Sequence, residues 1–230
     1  MKSWILGAVA LGGGLVGAGA MWAAGPAARG DEVRTYLLAH PEVIPEAMQK
    51  LQEREAGKSV AANRAAIETP FGSAVAGNPK GDVTLVEYYD YNCGYCRASL
   101  PAIRQLVASD PKLRVVFREL PILAPNSRDA ARMSLLAASQ GKFTAFHDAL
   151  YGGGRVTAES IASAARSAGV DTGHLQAMTP RFDAEIAANL NTAGKLGMSG
   201  TPSWVIGDRV LSGALPVAEL ERAVAAARAS

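Results

Sequence analysis

The most continuous apolar pattern in the chain lies at residues 83–89, where Val-Thr-Leu-Val-Glu-Tyr-Tyr is apolar at nearly every position. Such a run predicts a strand that helices cover on both faces. A helical pattern follows at about 93–109, and a second apolar run at 113–120 predicts the next strand. Because strand, helix and strand follow one another at short spacing, this segment predicts a parallel, right-handed βαβ unit.

The rest of this region predicts the other parts of an α/β domain. Residues 71–81 contain several glycines and Asn78-Pro79, which indicates a loop with one short edge strand. The pattern is helical over 127–196, and two short strands at 203–206 and 209–211 are joined by a tight turn. Pro216 then starts a final helix. The predicted layout is two βα halves with a helical block inserted at about 121–197.

Residues 1–28 have the pattern of an export signal followed by a linker. Met1-Lys2 is a short basic start, and the uncharged stretch after it is rich in Leu, Val, Ala and Gly. Ala18-Gly19-Ala20 is a candidate cleavage site, and the alternative is an uncleaved membrane anchor, because 4–24 is nearly long enough to span a bilayer. Either form places the rest of the chain in the periplasm, where disulfides persist.

Residues 29–69 predict a helical extension. A small-residue linker at 26–30 leads to Asp31 as the N-cap of a first helix, which His40-Pro41 interrupts. A second helix is predicted at 42–67, and its first turns carry an apolar stripe: Ile44, Ala47, Met48 and Leu51. This stripe either folds back on the following domain or faces other copies of the chain. We favour self-association.

Charge and cysteine content narrow the chemistry. A net charge of +2 without a basic stripe gives no indication of nucleic-acid binding. Cys93 and Cys96 are the only cysteines, so they do not form the framework of a disulfide-stapled scaffold. A zinc site normally needs four ligands, and the three histidines are scattered, which is typical of capping or surface residues: His40, His147 and His174.

Cys93 and Cys96 have the spacing of a redox dithiol. The first turn of a helix has free N–H groups and a positive dipole end, which stabilise a thiolate at Cys93. Cys96 lies one turn further, where it can displace a mixed disulfide. Gly94 and Tyr95 between them carry no positive charge, so we expect less thiolate stabilisation than a histidine would provide. An incidental pair or half of a zinc site is the alternative.

Glu87 is a candidate proton acceptor. A carboxylate in a buried strand is costly without a partner or a task, and burial raises its pKa. If Glu87 lies beneath Cys96, it can take the proton of that thiol, whereas at a sheet edge it would face solvent. Four nearby tyrosines form either an apolar rim for unfolded substrates or ordinary core: Tyr88, Tyr89, Tyr91 and Tyr95.

Two segments resemble the DsbA-like branch of the thioredoxin superfamily. Residues 87–96, EYYDYNCGYC, are similar to its active-site segment, with Glu87 six residues before the first cysteine. Residues 200–207, GTPSWVIG, resemble its cis-proline loop and following strand. The resemblance implies a thioredoxin fold with a helical insertion over 70–230, and a cis Thr201-Pro202 bond facing the dithiol. It also implies that the proline keeps a metal from being captured there. We assign substrate binding to Thr201, Pro202, Gly94 and Tyr95.

Residues 36–44, YLLAHPEVI, are similar to the N-terminal extension of the suppressor-of-copper-sensitivity protein C group, in which such helices build dimers or trimers. Cys-Gly-Tyr-Cys in place of Cys-Pro-His-Cys indicates the same group. The resemblance implies an enzyme that isomerises or reduces disulfides in unfolded or misoxidised exported proteins. A membrane thiol–disulfide partner would reset it, with no cofactor beyond the Cys93–Cys96 disulfide and no resident metal.

Three alternative functions use the same residues. The first is a DsbA-type oxidase that introduces disulfides. The second is a periplasmic copper-binding protein, because soft thiolates select Cu(I). The third is a kappa-class transferase or isomerase, which would not need Cys96.

Overall fold

The structure, a computed structural model, describes residues 26–229, with side-chain environments from Gly30 onward. Residues 1–25, which contain the predicted export signal and its candidate cleavage site, lie outside the described residues. The described residues divide into two compact units, one that ends at Gln52 and one that begins at Glu53. Within 26–229, no helix has both the length and the apolar character needed to cross a membrane.

Two helices, α1 (Pro26–Ala39) and α2 (Val43–Glu68), form the predicted extension. The predicted linker at 26–30 was wrong, and so was the N-cap at Asp31, because α1 already begins at Pro26. Proline is favoured in the first turn of a helix and alanine throughout it, so a small-residue run there is compatible with helix. The break at His40-Pro41 is confirmed.

A five-stranded mixed sheet forms the centre of the second unit. Its strand order is β1-β3-β2-β4-β5, and β2 and β3 are parallel while the other neighbouring pairs are antiparallel. The short edge strand and the terminal hairpin were both predicted. The strands are β1 (Val75–Gly77), β2 (Val83–Tyr89), β3 (Leu113–Glu119), β4 (Ser203–Ile206) and β5 (Arg209–Ser212).

The helices are arranged as in a thioredoxin fold with an insertion, so the predicted fold class is confirmed. Helix α3 (Gly94–Ser109) connects β2 to β3, and α8 (Val217–Arg228) follows the hairpin. Four helices lie between β3 and β4 in the chain: α4 (Ser127–Ser139), α5 (Phe143–Gly152), α6 (Ala158–Ser167) and α7 (Leu175–Lys195).

Alternation along β2 divides the core between the two faces of the sheet. Leu85 and Tyr89 lie in a large cluster with both cysteines and with apolar side chains of α3, α8 and the insertion. Val86 and Tyr88 point to the other face, into a smaller cluster that includes Val60 and Ile67 of α2, Ala193 of α7 and Leu196. Because side chains alternate with a period of two, Glu87 is on the face that carries the cysteines.

The structure corrects two interpretations of polar residues. His147 is neither a cap nor a surface residue, because it is only 4% exposed and packs edge-on or tilted against aromatic rings of the core. The suggested tyrosine rim is also wrong for three of its members, since only Tyr95 is exposed. The others are core residues that face opposite sides of the sheet or lie just after it: Tyr88, Tyr89 and Tyr91.

Candidate functional site

The two cysteines lie at the start of α3, immediately after the loop that follows β2. Cys93 is the N-cap of this helix, and its Sγ accepts a hydrogen bond from the Cys96 backbone N–H at 3.3 Å. On its other side, the Cys93 thiol donates to the Thr201 carbonyl oxygen at 3.1 Å. Both cysteines are free thiols, so the described state is the reduced dithiol. Cys93 therefore connects the helix terminus with the loop before β4.

Cys96 has a different environment from Cys93. Burial raises the pKa of the Cys96 thiol strongly, and the nearby Glu87 carboxylate raises it further, while the Asp90 backbone N–H, hydrogen-bonded to its sulfur, lowers it. A thiol with a raised pKa is a poor first nucleophile at neutral pH, because the thiolate is the attacking species. This arrangement gives the first attack to Cys93 and the second to Cys96.

Glu87 lies in the central strand β2, between Phe117 of β3 and Trp204 of β4 in the register. Its side chain is 1% exposed, so the alternative of a solvent-facing sheet edge is wrong. Neither carboxylate oxygen has a hydrogen-bond partner among the described residues. Burial, and secondarily the charge of Cys93, raise the pKa of Glu87 well above its usual range. Burial therefore favours the neutral carboxyl group over the carboxylate at this position.

The Thr201–Pro202 peptide bond is cis, as the resemblance implied. Hydrogen bonds on both sides hold this loop: the Ser203 hydroxyl donates to the Gly200 carbonyl at 2.8 Å, and the Gly213 N–H donates to the Pro202 carbonyl at 2.8 Å. The Thr201 hydroxyl oxygen is buried without a partner among the described residues. The loop thus presents a fixed backbone carbonyl to Cys93.

The dipeptide between the cysteines is open to a substrate. A Cβ built on Gly94 would meet no heavy atom within 4 Å, and Tyr95 is 70% exposed. The structure therefore brings together all of the predicted site residues, which are Cys93, Cys96, Glu87, Thr201, Pro202, Gly94 and Tyr95. The described residues contain no group of three or more His, Cys, Asp or Glu side chains placed to hold a metal ion.

Sequence reasoning missed a buried polar network behind the site. The Tyr89 hydroxyl donates to Glu119, and the Tyr91 hydroxyl donates to Ser134 at 3.0 Å and contacts His147 Nδ1 at 3.1 Å. Burial raises the pKa of Glu119 to about 8 and lowers that of His147 to about 3. The period-two pattern could have indicated Glu119, which ends a buried strand, but nothing local indicated its partners in the insertion.

Replacing Glu87 with glutamine is expected to remove a pH dependence of stability. The folded-state pKa is raised, so the wild-type protein has this stability in full below about pH 4.5 and loses it as the pH rises through the folded pKa. The loss is about 1.4 kcal/mol per pH unit within that window. Urea unfolding of the reduced protein at pH 5 and pH 7 measures it.

The free energy of unfolding of Glu87→Gln, relative to that of the wild type, should therefore increase when the pH is raised from 5 to 7. The exposed Glu221→Gln on α8 is the matched control and should follow the wild-type profile. An unchanged pH profile in Glu87→Gln would contradict the raised pKa.

Family models match most of this chain. A DSBA-like thioredoxin domain matches residues 84–225, and a Copper resistance protein ScsC N-terminal domain matches residues 27–57. The chain is also similar to Na(+)/H(+) antiporter NhaA 1 of Salinispora arenicola, at 31% identity over 163 residues and 69% of this chain. It spans only 25% of that antiporter's length.

Solved structures give the same assignment. A thioredoxin-like oxidoreductase from Silicibacter pomeroyi is 42% identical, with a TM-score of 0.67 over 73% of this chain and 99% of its own. The catalytic domain of Proteus mirabilis ScsC is 28% identical, with a TM-score of 0.70 over 76% of this chain and 99% of its own. A periplasmic thioredoxin-like protein from Salmonella enterica is 31% identical, with a TM-score of 0.64 over 73% of this chain and 96% of its own. The chain therefore belongs to the DSBA-like thioredoxin family, and its residues 27–57 match a ScsC N-terminal domain.

Proposed function

We propose that this protein isomerises or reduces disulfide bonds in exported proteins. The observation that carries the proposal is the Cys93 thiol, which lies between the N-terminus of α3 and the Thr201 carbonyl of the cis-proline loop. A nucleophile held beside a fixed backbone acceptor suits an extended polypeptide, because main-chain hydrogen bonds can align the substrate disulfide with the attacking sulfur.

The reaction begins when the Cys93 thiolate attacks a substrate disulfide. One substrate S–S bond breaks, a Cys93–substrate S–S bond forms, and the second substrate sulfur leaves as a thiolate. In reduction, the Cys96 thiolate then attacks Cys93 Sγ, so that the Cys93–Cys96 disulfide forms and two electrons pass to the substrate. In isomerisation, another substrate thiolate attacks the mixed disulfide instead, and Cys93 leaves without net oxidation.

Proton transfer in the second step involves Glu87. The Cys96 thiol must lose its proton before it attacks, and its raised pKa makes this costly in the resting state. The charge of Cys93 raises the pKa of Glu87, and the charge of Glu87 raises the pKa of Cys96. Alternation along β2 places Glu87 on the face of the sheet that carries both cysteines. An ionised Glu87 is a base within this dry environment, so we assign it the role of proton acceptor for Cys96.

Exposed apolar side chains support unfolded polypeptides as substrates. Tyr95 is exposed within the dithiol motif, and Ile122 and Leu123 are exposed on the loop after β3. The backbone N–H groups of Ile122 and Leu123 bind the carboxylate of Asp90, three residues before Cys93. Apolar surface close to the nucleophile favours segments that a folded protein would bury.

The partners and the compartment follow from the same proposal. A membrane thiol–disulfide partner would return the dithiol to its working redox state in the periplasm, with no cofactor besides the Cys93–Cys96 pair. Self-association through the extension is supported by large apolar side chains that are exposed in this chain: Val33, Tyr36, Leu38, Ile44, Met48 and Leu51. A second copy of the chain would bury such a stripe.

Scrambled ribonuclease tests the proposal. The full-length protein is expected to assemble in light scattering and to restore ribonuclease activity, whereas Met48→Asp/Leu51→Asp should give a monomer that still reduces insulin but restores little activity. These point changes are preferable to deleting the extension, because Val60 and Ile67 of α2 are fully buried. The exposed Gln52→Asp is the matched control and should behave as the wild type.

Three results would favour the alternatives. Rapid oxidation of reduced ribonuclease without recovery of the scrambled form would favour an oxidase. Tight stoichiometric copper binding without insulin reduction would favour a copper-binding protein. Full activity in Cys96→Ala would favour the transferase alternative.

A further inference from the structure

Asp90 is a buried carboxylate between the end of β2 and the cysteines, and it is only 1% exposed. Each of its side-chain oxygens accepts two hydrogen bonds. Oδ1 accepts from the Asn92 N–H at 2.9 Å and from the Ser127 hydroxyl at 2.8 Å. Oδ2 accepts from the N–H groups of Ile122 and Leu123, both at 2.9 Å. One side chain therefore joins the active-site loop to the loop that leads into the insertion.

The backbone of Asp90 contacts both cysteines. Its carbonyl oxygen accepts the Cys93 N–H at 2.9 Å and the Tyr151 hydroxyl at 3.0 Å. Its own N–H donates to the sulfur of Cys96. Because the side-chain hydrogen bonds fix the two peptide units that flank Asp90, a change at the carboxylate is transmitted to the backbone of Cys93 and to the sulfur of Cys96.

We propose that Asp90 is a positioning residue that holds Cys96 in line for its attack on the mixed disulfide. This inference rests on the proposed thiol exchange and adds a residue to its second step. Attack on a disulfide requires the incoming sulfur to lie along the axis of the bond that breaks, and misplacements of about 1 Å cost large factors in rate. The first attack by Cys93 is less demanding, because the substrate disulfide approaches from solution and can adjust its own orientation.

A purely structural role makes a different prediction. If the four hydrogen bonds only stabilised the fold, their loss would lower the stability and leave the two exchange steps in their original ratio. If they position Cys96, the second step slows selectively. The ratio of the two rates separates these roles and does not depend on how much stability is lost.

The test uses the full-length reduced protein and one equivalent of 5,5′-dithiobis(2-nitrobenzoate). Attack by Cys93 releases one thionitrobenzoate, and attack by Cys96 on the resulting mixed disulfide releases the second, so the absorbance rises in two phases. In Asp90→Asn, the side chain keeps its size. Its amide NH2 group, however, donates hydrogen bonds, and it would face backbone N–H groups that are also donors. The first phase should stay within about twofold and the second should slow about tenfold.

Asp110→Asn is the matched control. Asp110 accepts the Lys112 N–H at 3.0 Å and binds Arg228 at 2.9 Å at the opposite end of α3, so its replacement should leave both phases unchanged. If Asp90→Asn does not fold, Ser127→Ala removes one donor from the same carboxylate and should slow only the second phase, by a smaller factor. An unchanged ratio of the two phases in the folded variants would overturn the proposal.

This result is independent of the ribonuclease assay. A protein that exchanges with the reagent but neither restores scrambled ribonuclease nor reduces insulin would contradict the proposed function and leave the role of Asp90 intact. Conversely, normal isomerase activity with equal slowing of both phases in Asp90→Asn would contradict the positioning role alone.

Discussion

Replacing Cys93 with alanine is expected to abolish the reduction of insulin disulfides, a loss of about a thousandfold or more. Replacing Cys96 with alanine is expected to leave the first attack intact and to stop the cycle at the mixed disulfide. The asymmetry follows from the two environments. Cys93 lies at the helix N-terminus beside the cis-proline loop, whereas burial and Glu87 raise the pKa of Cys96 and keep its thiol protonated.

Mass spectrometry of the non-reduced protein measures this difference directly. Cys96→Ala incubated with a disulfide-bonded peptide should accumulate a covalent adduct at Cys93, while Cys93→Ala should form none. Ser109→Ala, at the exposed far end of α3, is the control and should retain full turnover. Adducts on Cys96, or comparable adduct formation by both variants, would contradict the assigned order of attack.

Much of the fold around the dithiol could be predicted because it depends on local periodicity. The apolar runs at 83–89 and 113–120 are long enough to identify strands buried on both faces, and the spacing between them requires a crossover helix. The same continuous apolar run predicted a buried strand around Glu87, and the structure confirms this over the alternative of a solvent-facing sheet edge. The redox interpretation of the Cys93–Cys96 spacing depends on the crossover helix α3, because Cys93 comes just before the first residue of that helix.

Other parts of the site were not predictable because their partners are distant in the chain. Asp90 binds donors more than 30 residues away, and loops have no periodicity from which such contacts can be read. His147 was misinterpreted for a similar reason, because its burial depends on how the insertion packs against β3. The apolar stripe of α2 predicted contacts for its first turns. The fully buried residues of this helix are instead Val60 and Ile67, in the later Ala-rich turns.

The later turns of α2 depend on a buried cation, Arg118 of β3. The Arg118 guanidinium donates to the Ile67 carbonyl at 3.0 Å and to the carbonyls of Ala66 and Thr69. It also pairs with Glu185 of α7 at 2.5 Å, and its side chain is only 6% exposed. The last carbonyls of a helix have no hydrogen-bond donors within the helix, so Arg118 donates to them from the sheet.

Replacing Arg118 with methionine should lower the free energy of unfolding by about 3–5 kcal/mol, because it leaves Glu185 and several carbonyls without their charged partner. Urea unfolding of the reduced protein at pH 7 measures the loss. Arg132→Met is the matched control: Arg132 pairs with Asp183 at 2.8 Å but is 26% exposed, so its loss should cost about 1 kcal/mol or less.

The double variant Arg118→Met/Glu185→Met separates the buried charge from the carbonyl contacts. Removing both partners eliminates the uncompensated carboxylate, so part of the stability should return relative to Arg118→Met alone. The part that does not return measures the unsatisfied carbonyls at the end of α2, including that of Ile67, whose side chain packs under the sheet. A loss below about 1 kcal/mol in the single variant would mean that water replaces Arg118 at these carbonyls, and that the apolar contacts of Val60 and Ile67 alone hold this part of α2.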